Sequence, residues 1–505
     1  MAINKIDSNV TGLSFAEEVT PKVLPGTPLW YQLEPNSYSD FGGQLKLIAR
    51  NPINAGRQRK KGVVADLDAS GGFSQDLTFD NTTRLLQGFF FADMREKKTT
   101  WGINTNTPTP ITSVTSGTKT FAAASNLGGF LSGNLVKTSG FSNTANNGIL
   151  SVNGASTATS LVVNEVVVTE SPPASAKIEV VGFQFPSGDV QIVLNGNLVR
   201  LQSTTTVMNN LGLLPGEWVY LGADLTVNTF ANNKGWARIT GMSATVMEFD
   251  KTDWTGVVEA GTGKSIRLYF GNIIKNEVGA QIKRRTYNVE RSLGQDANGT
   301  MSEYLVGAVP NQFAMKIGQA EKLTADLSFV ATDNEQRTGL TGIKGGTRVP
   351  LVPGSAYNTS SDFARIKLSL VTPTDSAPAP LFAFASELNL TLNNGVQANK
   401  AVGVLGAFDT SAGTFEVGGS LTAYFADITA VQAVRNNADI TLDIIMTKLN
   451  SGILFDMPLI ALGNGRLNVQ QDQSITLPLE TTAAESKFGH TLLFQSFSYL
   501  PDVAN

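Results

Sequence analysis

Apolar and polar residues alternate along short stretches of this chain. Clusters of Gly, Asn and Ser separate the stretches at intervals of about 8–12 residues, the spacing of sandwiches and barrels. Residues 44–50 (QLKLIAR) put Leu45 and Leu47 on one face of a strand, and residues 72–79 (GFSQDLTF) alternate again. The pattern is firm at Ile266, Leu268 and Phe270, at Phe313, Met315 and Ile317, and at Leu323, Ala325, Leu327 and Phe329. It returns at Leu388, Leu390 and Leu392, and strands are predicted at 416–425, 439–449 and 491–500. Such runs read as half-buried antiparallel strands. Residues 81–94 (NTTRLLQGFFFADM) differ: Leu85, Leu86, Phe89 and Phe90 form one stripe of a short helix, with Asp80 and Asn81 as N-caps. Residues 427–436 (DITAVQAVRN) predict a second helical turn capped by Asp427. Long helical periodicity is otherwise rare, so the expected class is all-β.

Order along the chain suggests duplication. GGFSQDLTFD from Gly71 resembles VGGSLTAYFAD from Val417, which sets Phe79 on Phe425, and an amphipathic segment follows both. The hairpins before them also match in layout. Between them, residues 99–263 are rich in Ser, Thr, Asn and Gly and hold a repeat of their own, with Ala145-Asn146-Asn147 matching Ala231-Asn232-Asn233. Asn and Gly suit the positive φ of tight turns. The expected division is a discontinuous first domain (1–98 and 264–345), two small inserted β modules (99–180 and 181–263) and a second domain (346–505).

Composition narrows the function. Only 16% of the 505 residues are charged, against about 25% in ordinary soluble domains. Weakly solvated surface on this scale points to coverage by partners. A net charge of −4 is no polyanion-binding profile. There is no cysteine, so disulfides and thiolate metal sites are excluded, and the lone histidine is His490. No run of 18 apolar residues predicts a membrane span, and residues 1–12 hold no apolar signal core, so synthesis in the cytoplasm is expected.

Candidate chemistry is sparse. His490 opens an apolar strand with no G-x-S-x-G element in company, so a structural role is expected. Asp66 and Asp68 share a strand face, but their Gly-rich setting offers no burial to raise a carboxyl pKa for hydrolysis. Residues 261–265 (GTGKS) lack the first Gly of a phosphate loop and precede a strand. The basic run Arg57, Arg59, Lys60, Lys61 has no interleaved aromatics for a nucleic-acid patch and reads as a contact loop; Lys283-Arg284-Arg285 reads as a strand-end or interface cluster. Two of Phe89, Phe90 and Phe91 fill the helix core and the third is a candidate anchor. Trp218 and Trp236 suit core packing better than sugar binding. No catalytic, cofactor or metal site is expected, and the chain reads as a non-enzyme.

Four segments resemble the phage tail tube proteins of long-tailed bacteriophages: SFAEEVTPKVLPGTPLWYQL (14–33), GGFSQDLTFDNTTRLLQG (71–88), residues 286–332 from TYNVERSLGQ, and residues 387–427 from ELNLTLNNGV. The resemblance covers the first hundred residues and everything after Lys264; residues 99–263 depart from it as an insertion. It implies two tandem β-sandwiches, each with a short flanking helix, whose inner sheets join edge to edge into a barrel lining a tube. It implies a homotrimeric ring of pseudo-sixfold symmetry, with a homohexamer as the alternative, stacked into a channel for DNA ejection. The partners implied are further copies of the chain, a tape measure protein, a tail terminator, baseplate proteins and viral DNA passing without sequence-specific contact. The implied location is the virion tail, as in siphoviruses. Arg57, Arg59, Lys60 and Lys61 would then make inter-ring contacts. A carbohydrate-binding or adhesin-like fibre or baseplate protein is the alternative reading.

Overall fold

A computed structural model describes residues 8–504 except 54, 55, 57, 80–82, 105–107, 155, 297, 298 and 353. The predicted caps Asp80 and Asn81 lie outside the described residues. Half of the chain is strand and two α-helices are present among the described residues, Thr83–Phe90 and Thr429–Arg435, so the class is all-β. No helix among the described residues is long and apolar enough to cross a membrane.

Each end of the chain builds a two-sheet sandwich in which the alternation described above faces the gap. In the first, the inner sheet runs Pro35–Arg50, Lys60–Asp76, Thr324–Ala331 and the second half of Gly299–Ile317. The first half of that long strand belongs to the outer sheet, beside Tyr287–Asp296, Gly12–Glu17 and Leu29–Leu33. The second sandwich repeats the plan. Its inner sheet runs Ala385–Asn393, Glu416–Tyr424, Thr476–Ala483 and the end of Ser451–Asn464. Its outer sheet holds Phe363–Leu370, Ile440–Lys448, the start of Ser451–Asn464, Leu493–Phe497 and Asn272–Lys275.

One buried cluster fills both sandwiches, from Leu13 and Phe15 through Leu85, Leu86, Phe89 and Phe90 to Leu492 and Phe494. The helix Thr83–Phe90 thus buries the stripe its sequence predicts. Gly88 is there because a Cβ would stand 2.6 Å from the Tyr287 hydroxyl. Phe91, just past the helix, turns to φ +48 and is half-buried. Asp427 accepts a hydrogen bond from the Thr429 amide at 2.7 Å, closing the first turn of the second helix.

Residues between the two halves of the first sandwich form one body. A ten-stranded sheet runs Glu259–Ala260, Val190–Asn195, Leu198–Ser203, Val246–Thr252, Gly235–Met242, Trp218–Leu221, Arg267–Phe270, Lys177–Gln184, Asn134–Ser139 and Gly148–Ser151. A three-stranded sheet of Ile111–Thr115, Thr120–Ala123 and Ser160–Val162 lies against the same core, which extends from Ile111 to Phe270. The internal repeat is visible in atomic detail. Asn146 donates to Val168 O and Glu170 and accepts from the Val168 amide. Asn233 does the same with Val257 and Glu259. Its structural counterpart is therefore Asn146, one residue out of step with the match of Ala145-Asn146-Asn147 to Ala231-Asn232-Asn233, because the buried asparagine defines the turn.

This body docks on the outer sheet of the second sandwich. Trp218, Tyr220, Trp236 and Tyr269 bury against Ile445, Leu454, Leu493 and Phe497. Trp218 and Trp236 are therefore core residues, 0% and 3% exposed. Gln495 accepts from the Trp218 amide and donates to its carbonyl. Beside this apolar contact lie six buried charges: Arg238, Lys251 and Arg365 with Asp250, Asp443 and Asp456. Burial on both faces explains why Ile440–Met446 is buried without a break although Thr441 and Asp443 are polar.

Candidate functional site

The surface that stands out is the inner sheet. Strand 312–317 of the first sandwich pairs antiparallel with 388–393 of the second, from Gln312↔Asn393 to Ile317↔Leu388. The two inner sheets thereby become one sheet of eight strands. Its first edge, Pro35–Arg50, and its last, 461–464, have no strand partner on their outer sides among the described residues. Such edges present backbone donors and acceptors ready for another chain.

Because side chains alternate, one face of this sheet enters the core and the other is free. The free face carries Asp66, Asp68, Asp76, Asp326, Glu387, Glu416 and Glu480 against Lys46 and Lys316 of its own strands, with Lys322 reaching Asp76 from beside it and Ser, Thr and Asn between them. Asp66 and Asp68, the pair weighed as catalytic carboxylates, both meet Lys400. The hydrogen bond from Lys400 holds the Asp66 carboxyl below its ordinary value, opposite to what a general acid needs.

At one end of the sheet the first hairpin projects beyond its neighbours. Of this hairpin, Thr324–Ala331 pairs with 69–76 alone, so from 44 to 68 the two strands have no strand partner but each other among the described residues. Leu45, Leu47, Ile48, Val63 and Val64 are exposed there, which places the predicted Leu45–Leu47 face in solvent. The loop of the second hairpin points the same way with Val402, Val404, Leu405 and Phe408 exposed. The opposite end of the sheet exposes Phe384, Ile428, Leu467, Val469 and Ile475.

The chain belongs to the phage tail tube protein family. The family model matches residues 8–483, nearly the whole chain and both sandwiches. No curated protein matches it. The tail tube subunit is thus a structural protein of the phage virion tail.

The structure places the charged candidates unevenly. Arg59, Lys60 and Lys61 lie at the projecting hairpin, exposed and without an ion pair among the described residues; Arg57 is outside them. Lys283, Arg284 and Arg285 are consumed within the chain: Lys283 meets Asp93, Arg284 meets Asp409 at 3.1 Å, and Arg285 meets Glu17 at 3.1 Å and Asp93. Lys264 of the GTGKS turn faces Glu259 at 3.9 Å, and a strand follows. His490 is 1% exposed and stacks on Phe488. The two free edges carry no signature in side-chain type, since it is the backbone that would pair. The charged cluster under the inserted body was equally hidden, because its six members come from distant segments.

Proposed function

We propose that the tail tube subunit forms trimeric rings in which the eight-stranded inner sheets of successive chains join head to tail, and that the stacked rings conduct DNA. The two tube domains are read as 1–98 with 264–345, and 346–505; modules 99–180 and 181–263 lie outside the barrel wall. The observation that carries this reading is the junction inside the chain. One sandwich already accepts the next by pairing 312–317 with 388–393. The remaining edges are the counterparts of those two strands, so repeating the same junction between chains satisfies them and closes a ring if the rotation fits. Three chains would give a barrel of twenty-four strands, eight from each.

The register follows from the repeat. Ala314 stands opposite Asp326 and Gly463 opposite Glu480, while Asp326 and Glu480 stand opposite Ser74 and Ser420. Thr391 stands opposite Gly418 and Ser39 opposite Gly72. Since Ala314 pairs with Thr391 inside the chain, Gly463 would pair with Ser39 of the next. The acid-rich free face would then line the lumen, where fixed cations would retard phosphates. The inserted body, seated on an outer sheet, would face outward. The exposed hairpins, with Arg59, Lys60 and Lys61, would meet the next ring, and its apolar far rim would receive them.

A Ser39→Cys/Gly463→Cys chain tests the reading. Oxidation is expected to yield a covalent trimer on a non-reducing gel, with neither single variant doing so. A closed six-chain species would support the hexamer instead. Absence of any cross-link in assembled particles would remove the proposed junction.

A further inference from the structure

The inserted body has a cleft that contributes nothing to the tube wall. A cavity of about 480 Å3 lies on the seam between its two modules, where the ends of Lys177–Gln184 and the approach to Arg267–Phe270 meet the turn after Leu198–Ser203. No acidic or basic side chain lines it. Its walls carry amides and hydroxyls: Asn153, Asn164, Asn210, Ser132, Thr205 and Ser265. Exposed Leu131 and Val207 form apolar lips over a floor that includes buried Phe185.

The charges beside the cleft are engaged within the chain. Lys119 donates to the Asn164 carbonyl. The Asp189 carboxylate accepts from Ser203, Thr204 and Thr205 and from the Thr206 amide, which holds its pKa well below the usual range despite burial. That cage also fixes the turn Thr204–Val207 that walls the cleft. Arg267 donates to the side-chain oxygen Oε1 of Gln184 at 2.8 Å. By contrast, the side chains of Ser132, Asn153, Asn210 and Ser265 make no hydrogen bond within the chain among the described residues, and Asn153 and Asn210 are exposed.

We infer that this cleft binds an uncharged glycan. Amides and hydroxyls both donate and accept, which matches the hydroxyls of a sugar. An anionic sugar would find no cation among the lining residues, and an ammonium group no carboxylate. The apolar lips suit the C–H face of a sugar ring, and the Asp189 cage limits the ordering cost of binding. The volume lies within the range of small-ligand sites. The cleft lies wholly within the inserted body, so binding there is independent of ring closure.

Ligand-observed saturation-transfer NMR on the full chain tests it. The probes are neutral gluco-, galacto-, manno- and rhamno-oligosaccharides, with sialyllactose, a sugar phosphate and an uncharged peptide as contrasts. At least one neutral oligosaccharide is expected to bind, and Asn153→Ala and Asn210→Ala are each expected to weaken it about tenfold, the scale of one lost hydrogen bond, with melting temperature unchanged. Failure of all neutral oligosaccharides, equal binding of the anionic probes, binding of the peptide alone, or indifference of binding to both variants would overturn the assignment.

Discussion

Asp443 has no exposed surface and is flanked by Lys251 and Arg365. Burial alone would raise its pKa, yet Arg365 and Lys251 hold it below the ordinary value. Arg238 is likewise kept charged by Asp250 and Asp456 against its burial. Removing one partner from such a set leaves a cation buried without compensation, which costs about 3–5 kcal/mol. Asp443→Ala is therefore expected to lower the unfolding free energy by that order in urea, whereas an exposed change such as Glu485→Ala should leave it unchanged. His490 offers a separate test. Burial, with Lys275 nearby, brings its pKa down to about 4 from 6.5, so the folded chain keeps the imidazole neutral where the unfolded chain protonates it. This stability is present above about pH 6.5 and is lost as pH falls toward 4; the loss is about 3 kcal/mol. Melting temperature should fall across that window, and His490→Gln should flatten the upper part of the fall. An unchanged slope in that variant would assign the acid sensitivity to the carboxylates.

Among the elements, the first hairpin is the one whose sequence and structure diverge most. Alternation from 44 to 50 has the form of a half-buried strand, yet Leu47 is 66% exposed and its cross-strand neighbour Val64 48%. An apolar ribbon of this kind is stable in water only with a partner. On the proposed stacking, Leu47→Asp with Val64→Asp should leave rings intact and abolish tubes, as seen by negative-stain microscopy; tubes of normal length would exclude the ribbon from stacking. Elsewhere the elements were legible. The stripe Leu85, Leu86, Phe89, Phe90 is buried as its spacing requires, and so is Leu323, Ala325, Leu327, Phe329. Strand 439–449 was legible as a strand, but not as one covered on both faces, because alternation cannot report a second cover supplied by residues 218–269.

Over the whole molecule, two sandwiches of like plan have unlike outer faces. In the second, Asp443, opposite Asp456 in its hairpin, meets the inserted body. In the first, the matching Glu290, opposite Tyr304, is paired with Arg348 at 2.7 Å, and Trp30 donates to Gly345 O. The segment that carries Gly345 and Arg348 thus covers one face and the insertion the other, so a ring of such chains would carry the inserted body at alternate positions. Its closing junction offers a charge test. Lys316 and Glu387 approach to 3.7 Å across the internal junction. At the two free edges Glu34 and Arg466 are exposed and without ion pairs among the described residues, and the proposed register sets Arg466 opposite Asn36, two residues from Glu34. Glu34→Arg and Arg466→Glu should each weaken ring assembly in light scattering, and the double reversal should restore it; additive weakening would refute the register.

The residues by themselves determined the β class, the helix stripes, the duplication and the resemblance to tail tube proteins, because each is written in short-range periodicity or local order. Tertiary structure alone decided that the insertion would sit on the sandwich it does not interrupt, and that the two inner sheets would fuse while leaving one edge at each end. A period of two records that a face is covered but not by what, and an unpaired strand edge consists of backbone groups that every residue shares.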